Sequence, residues 1–81
     1  MEEKYIIEFD NPYYRPERPL YVILILFHRN NLLYYQTYSK YEAKEMKDRR
    51  LIRRCMNKIV SSYINRGDIK RQPKPRAIKI N

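Results

Sequence analysis

The longest apolar segment of the chain is the uninterrupted run Leu20–Phe27, "LYVILILF". A strand with one face in solvent alternates apolar and polar residues, whereas this run is apolar at every position. Its eight residues are a typical strand length, and three of them (Val22, Ile23 and Ile25) are β-branched. The run therefore predicts a central strand with apolar side chains on both faces.

Two shorter patterns flank this run. Residues 4–9, "KYIIEF", place Tyr5, Ile7 and Phe9 on one side of a short strand. The polar segment 28–31, "HRNN", separates the run from the β-rich segment 32–38, "LLYYQTY", and an Asn in it can adopt a positive φ. The pattern predicts a three-stranded antiparallel sheet with residues 20–27 in the middle.

A helix is predicted from about Ser39 to about Arg66, beginning at the capping box Ser39–Glu42 and ending before Gly67 in the left-handed C′ position. At 100° per residue its apolar residues form one stripe, which we expect to cover one face of the sheet. Glu45 and Asp48 occupy the first half of this stripe, so the first turns either overhang the sheet or the helix breaks near Asp48. The apolar stripe consists of Tyr41, Ile52, Cys55, Met56, Ile59, Val60 and Tyr63.

Prolines mark the two irregular segments. Residues 10–19, "DNPYYRPERP", predict an extended loop, and residues 68–76, "DIKRQPKPR", predict a basic linker before the short strand 77–81. That last strand either joins a sheet edge or pairs with a partner. The fold class is therefore α+β, with a β-β-β-α domain over residues 1–67 and a basic tail over residues 68–81.

Charge is distributed unevenly along this 81-residue chain of net charge +9. Residues 1–38 carry 4 basic and 5 acidic side chains, whereas residues 39–81 carry 14 basic and 4 acidic ones. Such asymmetry favours an anionic partner for the second half. One cysteine and no recognisable signal peptide favour an intracellular protein, and the run 20–27 is too short to span a membrane.

Cations recur at helical spacing on the side of the predicted helix opposite its apolar stripe, where no acid interrupts them. A helix repeats such side chains every 5–6 Å, which is comparable to the spacing of phosphates along a nucleic-acid strand. A solvated basic face and a solubilising linker are the competing interpretations for helix and tail. The candidate binding residues are Lys47, Arg50, Arg54 and Lys58 on the helix, Lys70, Arg71, Lys74 and Arg76 in the tail, and Tyr13, Tyr14, Arg15 and Arg18 as possible loop contacts.

Catalytic chemistry has little basis in this sequence. His28 is the only histidine and lies in a predicted turn, so it lacks companions for a metal site. Cys55 falls in the apolar stripe, where a buried structural thiol is the expected state. We therefore expect a protein that is not an enzyme and that uses no cofactor or metal.

Two functions fit these features. The first is a non-catalytic protein that grips the phosphate backbone of DNA or RNA with the helix and the tail. The alternative is a small accessory protein of the phage or virus type that inhibits or redirects a host protein by binding an acidic surface on it. In either case the sheet face away from the helix is expected to be covered by a second copy or by an obligate partner, because an exposed apolar row causes association.

Overall fold

The apolar run forms the second strand of an antiparallel sheet. In the computed structural model, which describes residues 2–13, 18–64 and 66–81, strand β2 (Leu20–His28) lies between β1 (Tyr5–Phe9) and β3 (Asn31–Thr37). Both pairings are antiparallel. The predicted position of β2 between two flanking strands is confirmed.

The sheet has a fourth strand. Residues Arg76–Lys79 form β4, which pairs antiparallel with β1 and gives the order β3-β2-β1-β4. The α+β class is confirmed, but the expectation of a three-stranded sheet with a separate C-terminal strand is wrong. A buried contact brings the tail to β1: Pro73 is fully buried, and its carbonyl oxygen accepts a hydrogen bond from the Asp10 amide at 2.6 Å.

A two-residue turn joins β2 to β3. His28 and Asn31 are paired, and Arg29 and Asn30 between them have φ values of 50° and 67°. Two consecutive positive φ angles match the right-handed twist of a hairpin. The expected positive φ of an Asn in this turn is confirmed for Asn30.

The helix is shorter than predicted. Helix α1 covers Arg49–Tyr63, and a single 3-10 turn at Lys40–Glu42 is all that forms near the expected start. Between them the chain is extended, and Met46 exchanges backbone hydrogen bonds with Tyr5. The Asp48 carboxylate caps α1 by accepting hydrogen bonds from the backbone amides of Arg50 and Leu51. Of the two alternatives the sequence left open, the break near Asp48 is the one observed.

Both predicted helix caps are wrong. Ser39 makes no side-chain capping hydrogen bond; instead its amide donates to the Thr37 hydroxyl at 3.1 Å. At the other end α1 stops at Tyr63 because Ile64 is extended, with a ψ of 138°. Gly67 has no positive φ and lies beyond the helix. The free energy gained by burying Met46 against β1 offsets the helical hydrogen bonds that the predicted first turns would have formed.

A single core lies between α1 and one face of the sheet. From the predicted stripe, Met56 is half-buried, Val60 is 40% exposed and Tyr41 is 100% exposed, so the buried stripe is narrower than expected. No helix in the described part of the chain is long and apolar enough to span a bilayer. The core consists of Ile7, Phe9, Leu20, Val22, Leu32, Met46, Ile52, Cys55, Ile59 and Tyr63.

The β2–β3 hairpin extends beyond the body of the sheet. Strand β2 pairs with β1 at only two positions, Tyr21 and Leu20, and an irregularity between Val22 and Leu24 then turns it away. Residues 44–46 fill the gap, since the Lys44 amide donates to the Val22 carbonyl at 2.8 Å. The second half of the apolar run therefore pairs with β3 but not with β1.

The face of this hairpin that points away from α1 is open. Cross-strand pairing places Leu24 beside Tyr35 and Leu26 beside Leu33, and all four side chains are 43–54% exposed. The described residues form two layers, the sheet and α1, with extents of 42 × 32 × 16 Å. We call these four residues the open-face patch. On the face away from the helix, Tyr21 of the apolar run is buried, whereas Leu24 and Leu26 are in solvent.

We predict that Cys55 is structural. The side chain has 0% exposure, and burial raises its pKa from 9.0 to about 11. Thiol reagents should label the folded protein far more slowly than the denatured protein at neutral pH. Cys55→Ser should cost on the order of 1–2 kcal/mol of unfolding free energy, because the hydroxyl has no partner there. Rapid labelling of the native thiol would contradict this role.

Alkaline pH should weaken the fold at the same site. Since the folded pKa of Cys55 is raised, the neutral thiol contributes stability below pH 9 that is lost as the pH rises from 9.0 toward about 11. Burial also raises the pKa of Tyr63, which packs in the same core. Chemical denaturation at a series of pH values should show stability falling above pH 9, less steeply in Cys55→Ala than in the parent.

Candidate anion-binding surface

Three cations form a row along the solvent side of α1. Arg50 and Arg54 are exposed and Lys58 is half-exposed. Successive members are four residues apart, which places them about 6 Å apart along the axis. None of the three has a carboxylate partner within the described residues. We call Arg50, Arg54 and Lys58 the basic ridge.

The β2–β3 turn fixes the middle of the basic ridge. The Arg54 guanidinium lies over the Phe27 ring, 4.9 Å from its centroid, and donates a hydrogen bond to the Asn30 carbonyl oxygen. Stacking on an aromatic ring and a backbone hydrogen bond reduce the number of rotamers that Arg54 samples. A held guanidinium loses less entropy when it binds an anion than a freely moving one.

The same contact brings a further cation beside the basic ridge. Arg29 is exposed in the turn and is bonded to Asn30, which accepts from Arg54. The sequence indicates a basic residue in a short hairpin turn but does not connect it with the helix. Only the tertiary approach of the turn to α1 brings the backbone next to Arg29 into contact with Arg54.

Lys47 lies outside the basic ridge. It precedes the first residue of α1, and its ammonium group pairs with the Glu2 carboxylate at 3.0 Å. The expectation of four cations on one helix face is therefore corrected to three. The acid nearest the basic ridge in sequence, Asp48, is occupied in capping the helix. Asp48 lies beside Arg50 and Arg54, but no described carboxylate forms an ion pair with a member of the basic ridge.

The tail cations form a separate group. Lys70 and Arg71 are exposed, and their amides donate to the Pro12 carbonyl at 2.6 and 3.3 Å. Lys74 is exposed with a φ of 44°. These hydrogen bonds hold the backbone of the tail against the loop at residues 10–13.

Arg76 is held in ion pairs within the sheet. Its guanidinium pairs with Glu8 at 2.7 Å and with Asp10 at 3.0 Å. Strand register places Arg76 opposite Glu8, which alternates with the core residues Ile7 and Phe9 and so lies on the face away from α1. Arg76 therefore joins neither the basic ridge nor the exposed tail cations.

The two candidate loop residues that the structure describes, Tyr13 and Arg18, have different surroundings. Tyr13 packs edge-on against Tyr63, with ring centroids 6.0 Å apart, and is partly buried. The Arg18 guanidinium lies 4.9 Å from the centroid of the Tyr38 ring. Tyr14 and Arg15 lie outside the described residues. Tyr13 thus contributes to the core, and Arg18 is an exposed cation held on an aromatic ring.

The chemistry available on the basic ridge is anion binding. Guanidinium groups donate pairs of hydrogen bonds to phosphate or carboxylate oxygens, and an ammonium group adds a point charge. The one thiol is buried in the core. Among the described residues, no three His, Cys, Asp or Glu side chains form a group that could hold a metal ion. Comparison of the chain with protein-family models, with curated proteins and with solved structures found no match.

Proposed function

We propose that this protein binds nucleic acid through the phosphate backbone, with the basic ridge and Arg29 as the principal contacts. The observation that carries the proposal is the row of three helix cations with no carboxylate partner in the described part of the chain. Their spacing of about 6 Å along the axis suits successive phosphates better than it suits an irregular set of carboxylates. The proposed role is non-catalytic and uses no cofactor.

The exposed tail cations extend this proposal. Lys70, Arg71 and Lys74 lie on a segment that is bonded to residue 12 rather than to α1. We propose that they make secondary backbone contacts, so their removal should weaken binding less than removal of the basic ridge. The buried cysteine suits a reducing, intracellular setting.

Binding of random-sequence duplex DNA and of RNA of equal length, measured at several salt concentrations, tests the function. The four principal contacts correspond to a log–log salt slope of about −3.6 on duplex DNA, and any contact made by the tail cations steepens it further. Similar affinities for unrelated sequences are expected, since backbone contacts carry no sequence information. If the chain binds neither DNA nor RNA at low salt, the nucleic-acid function is wrong and an acidic surface on a target protein takes its place.

The open-face patch favours a protein partner on the other side of the molecule, and we propose a second copy of this chain. The hairpin residues on that face, including His28 and Asn31 at its end, comprise no Lys, Arg, Asp or Glu. A chain of charge +9 can therefore approach its copy there with the basic helices on the outside. Two such sheets would pack about 10 Å apart.

We predict that Leu26→Glu abolishes this association without unfolding the protein. A carboxylate in the centre of the patch would lose its hydration in the dimer, whereas in the monomer it stays in solvent. Sedimentation at high micromolar concentration should show dimers for the parent and monomers for the variant. Val60→Glu, at a site of similar exposure on α1, is the control and should still dimerise. A monomeric parent would contradict the prediction.

A further inference from the structure

The two edges of the sheet differ in how they are protected. The edge strand β4 follows Pro75 and carries Arg76 and Lys79, both of which form ion pairs. The edge strand β3, "NLLYYQT", contains no charged residue, proline or glycine, and the sheet irregularity lies in β2 rather than in β3. Charges, prolines and bulges are the features that prevent an edge from pairing with another strand. Strand β3 has none of them.

A groove runs along the open edge of β3. Its volume is about 550 Å³, and one wall consists of the four consecutive residues from Leu33 to Gln36. Because neighbouring residues of a strand point to opposite faces, a wall made of consecutive residues follows the backbone of the strand. The last two turns of α1, with Arg66 beyond the end of the helix, form the other wall. The described residues on that wall are Lys58, Ser62, Tyr63 and Arg66.

This geometry suits an extended polypeptide. A strand added to β3 would lie about 4.8 Å from it and would hydrogen-bond to its backbone. Four residues of β3 offer about 13 Å of edge to pair with. Recognition in such grooves combines main-chain hydrogen bonds with contacts from alternate side chains. The exposed side chains of Leu33 and Tyr35 supply surface for those contacts.

The positive charge of the groove favours an acidic segment as its binding partner. Lys58 has no carboxylate partner among the described residues, and Arg66, which pairs with Asp68 at 3.2 Å, lies at one end of the groove. The described lining contains no carboxylate of its own. A second copy paired edge to edge would bring its own Lys58 toward the same place, and like charges would oppose it. An acidic segment meets no such repulsion.

We propose that the groove between β3 and α1 binds an extended, acidic peptide segment of another protein by β-strand addition. This site shares Lys58 with the basic ridge but differs from the proposed nucleic-acid contact, because the partner pairs with the backbone of β3 rather than with the outer side of the helix. The partner segment carries a carboxylate at the level of Lys58 and alternates it with apolar residues.

The test uses the full chain labelled with nitrogen-15 and a capped ten-residue peptide of alternating Val and Glu. The expected result is a set of shifts on the amides of residues 33–36, together with slower hydrogen exchange there. Lys58→Glu should weaken the affinity at least about tenfold, because it places like charges together. Arg53→Glu, which changes the same charge elsewhere on α1, should change the affinity by less than about twofold, since exposed charges at a distance are screened.

Two peptide controls complete the experiment. Methylation of alternate backbone nitrogens should abolish binding, and replacement of every Glu by Lys should weaken it at least about tenfold. Equal binding of the methylated peptide would overturn strand addition. Shifts confined to the open-face patch, or an absence of binding by the acidic peptide, would also overturn the proposal. Protection of β3 that rises with protein concentration without peptide, and that persists in the Leu26→Glu variant, would identify a second copy as the occupant of the groove and overturn the proposal as well.

Discussion

The variant Arg50→Ala/Arg54→Ala is expected to show a weaker salt dependence of nucleic-acid binding than the parent. Each phosphate contact contributes about 0.9 to the log–log slope, so the slope on duplex DNA should become shallower by about 1.8. Affinity at low salt should fall for every sequence to a similar extent, because phosphate contacts do not distinguish bases. Fluorescence anisotropy at several salt concentrations measures both quantities.

A matched variant separates the basic ridge from total charge. Arg49→Ala/Lys79→Ala also removes two cations, but both pair with Glu3 and neither belongs to the basic ridge. Its slope should stay close to that of the parent. Arg54→Lys keeps the charge and weakens the stacking on Phe27, so it should retain the slope with a moderate loss of affinity. Equal slopes for the two double variants would contradict the assignment of the basic ridge.

Phe9→Ala is expected to cause the largest loss of stability. Phe9 is fully buried in β1 and packs edge-on against Tyr34, with ring centroids 6.2 Å apart. Truncation of such a ring costs about 3–5 kcal/mol. A domain of 81 residues has roughly 4–12 kcal/mol of total stability, at 0.05–0.15 kcal/mol per residue. The variant should therefore melt at least roughly 12 °C below the parent, or be unfolded at room temperature.

The control for this prediction lies on the other face of the sheet. Leu33→Ala removes an apolar side chain that is 44% exposed, and it should change the unfolding free energy by less than about 1 kcal/mol. Thermal denaturation followed by circular dichroism compares the two variants. If Phe9→Ala melted within a few degrees of the parent, the core would not lie between α1 and the face of β1 that carries Phe9.

Local signals predicted the β2–β3 hairpin correctly. An uninterrupted apolar run, a four-residue polar segment and a second β-rich run lie next to one another in sequence, so their pairing closes a short loop. The turn required positive φ angles and contained Asn30 to adopt one. The pairing of β4 with β1 links residues about 70 positions apart, and it depends on burial of Pro73 beside Asp10. No local pattern carries that information.

The start of the helix shows why competing signals could not be ranked from sequence. Ser39 and Asp48 are both good capping residues, and the chain between them contains good helix formers. Pairing of Met46 with Tyr5 decides between them, because an extended segment buries Met46 in the core. This start excludes Lys47 from the helix. Periodicity therefore identified Arg50, Arg54 and Lys58 correctly as one row, whereas tertiary contacts determined its two ends.

The most direct test of the anion-binding surface is a titration of the nitrogen-15-labelled protein with a short random-sequence DNA duplex at low salt. The predicted result is a contiguous set of amide and side-chain shifts along residues 50–58 of α1 and in the turn at residues 29–30. The guanidinium signals of Arg50 and Arg54 should change most, since they donate directly to phosphate oxygens. Shifts confined to the tail cations or to the open-face patch would contradict the account, and so would an unchanged spectrum.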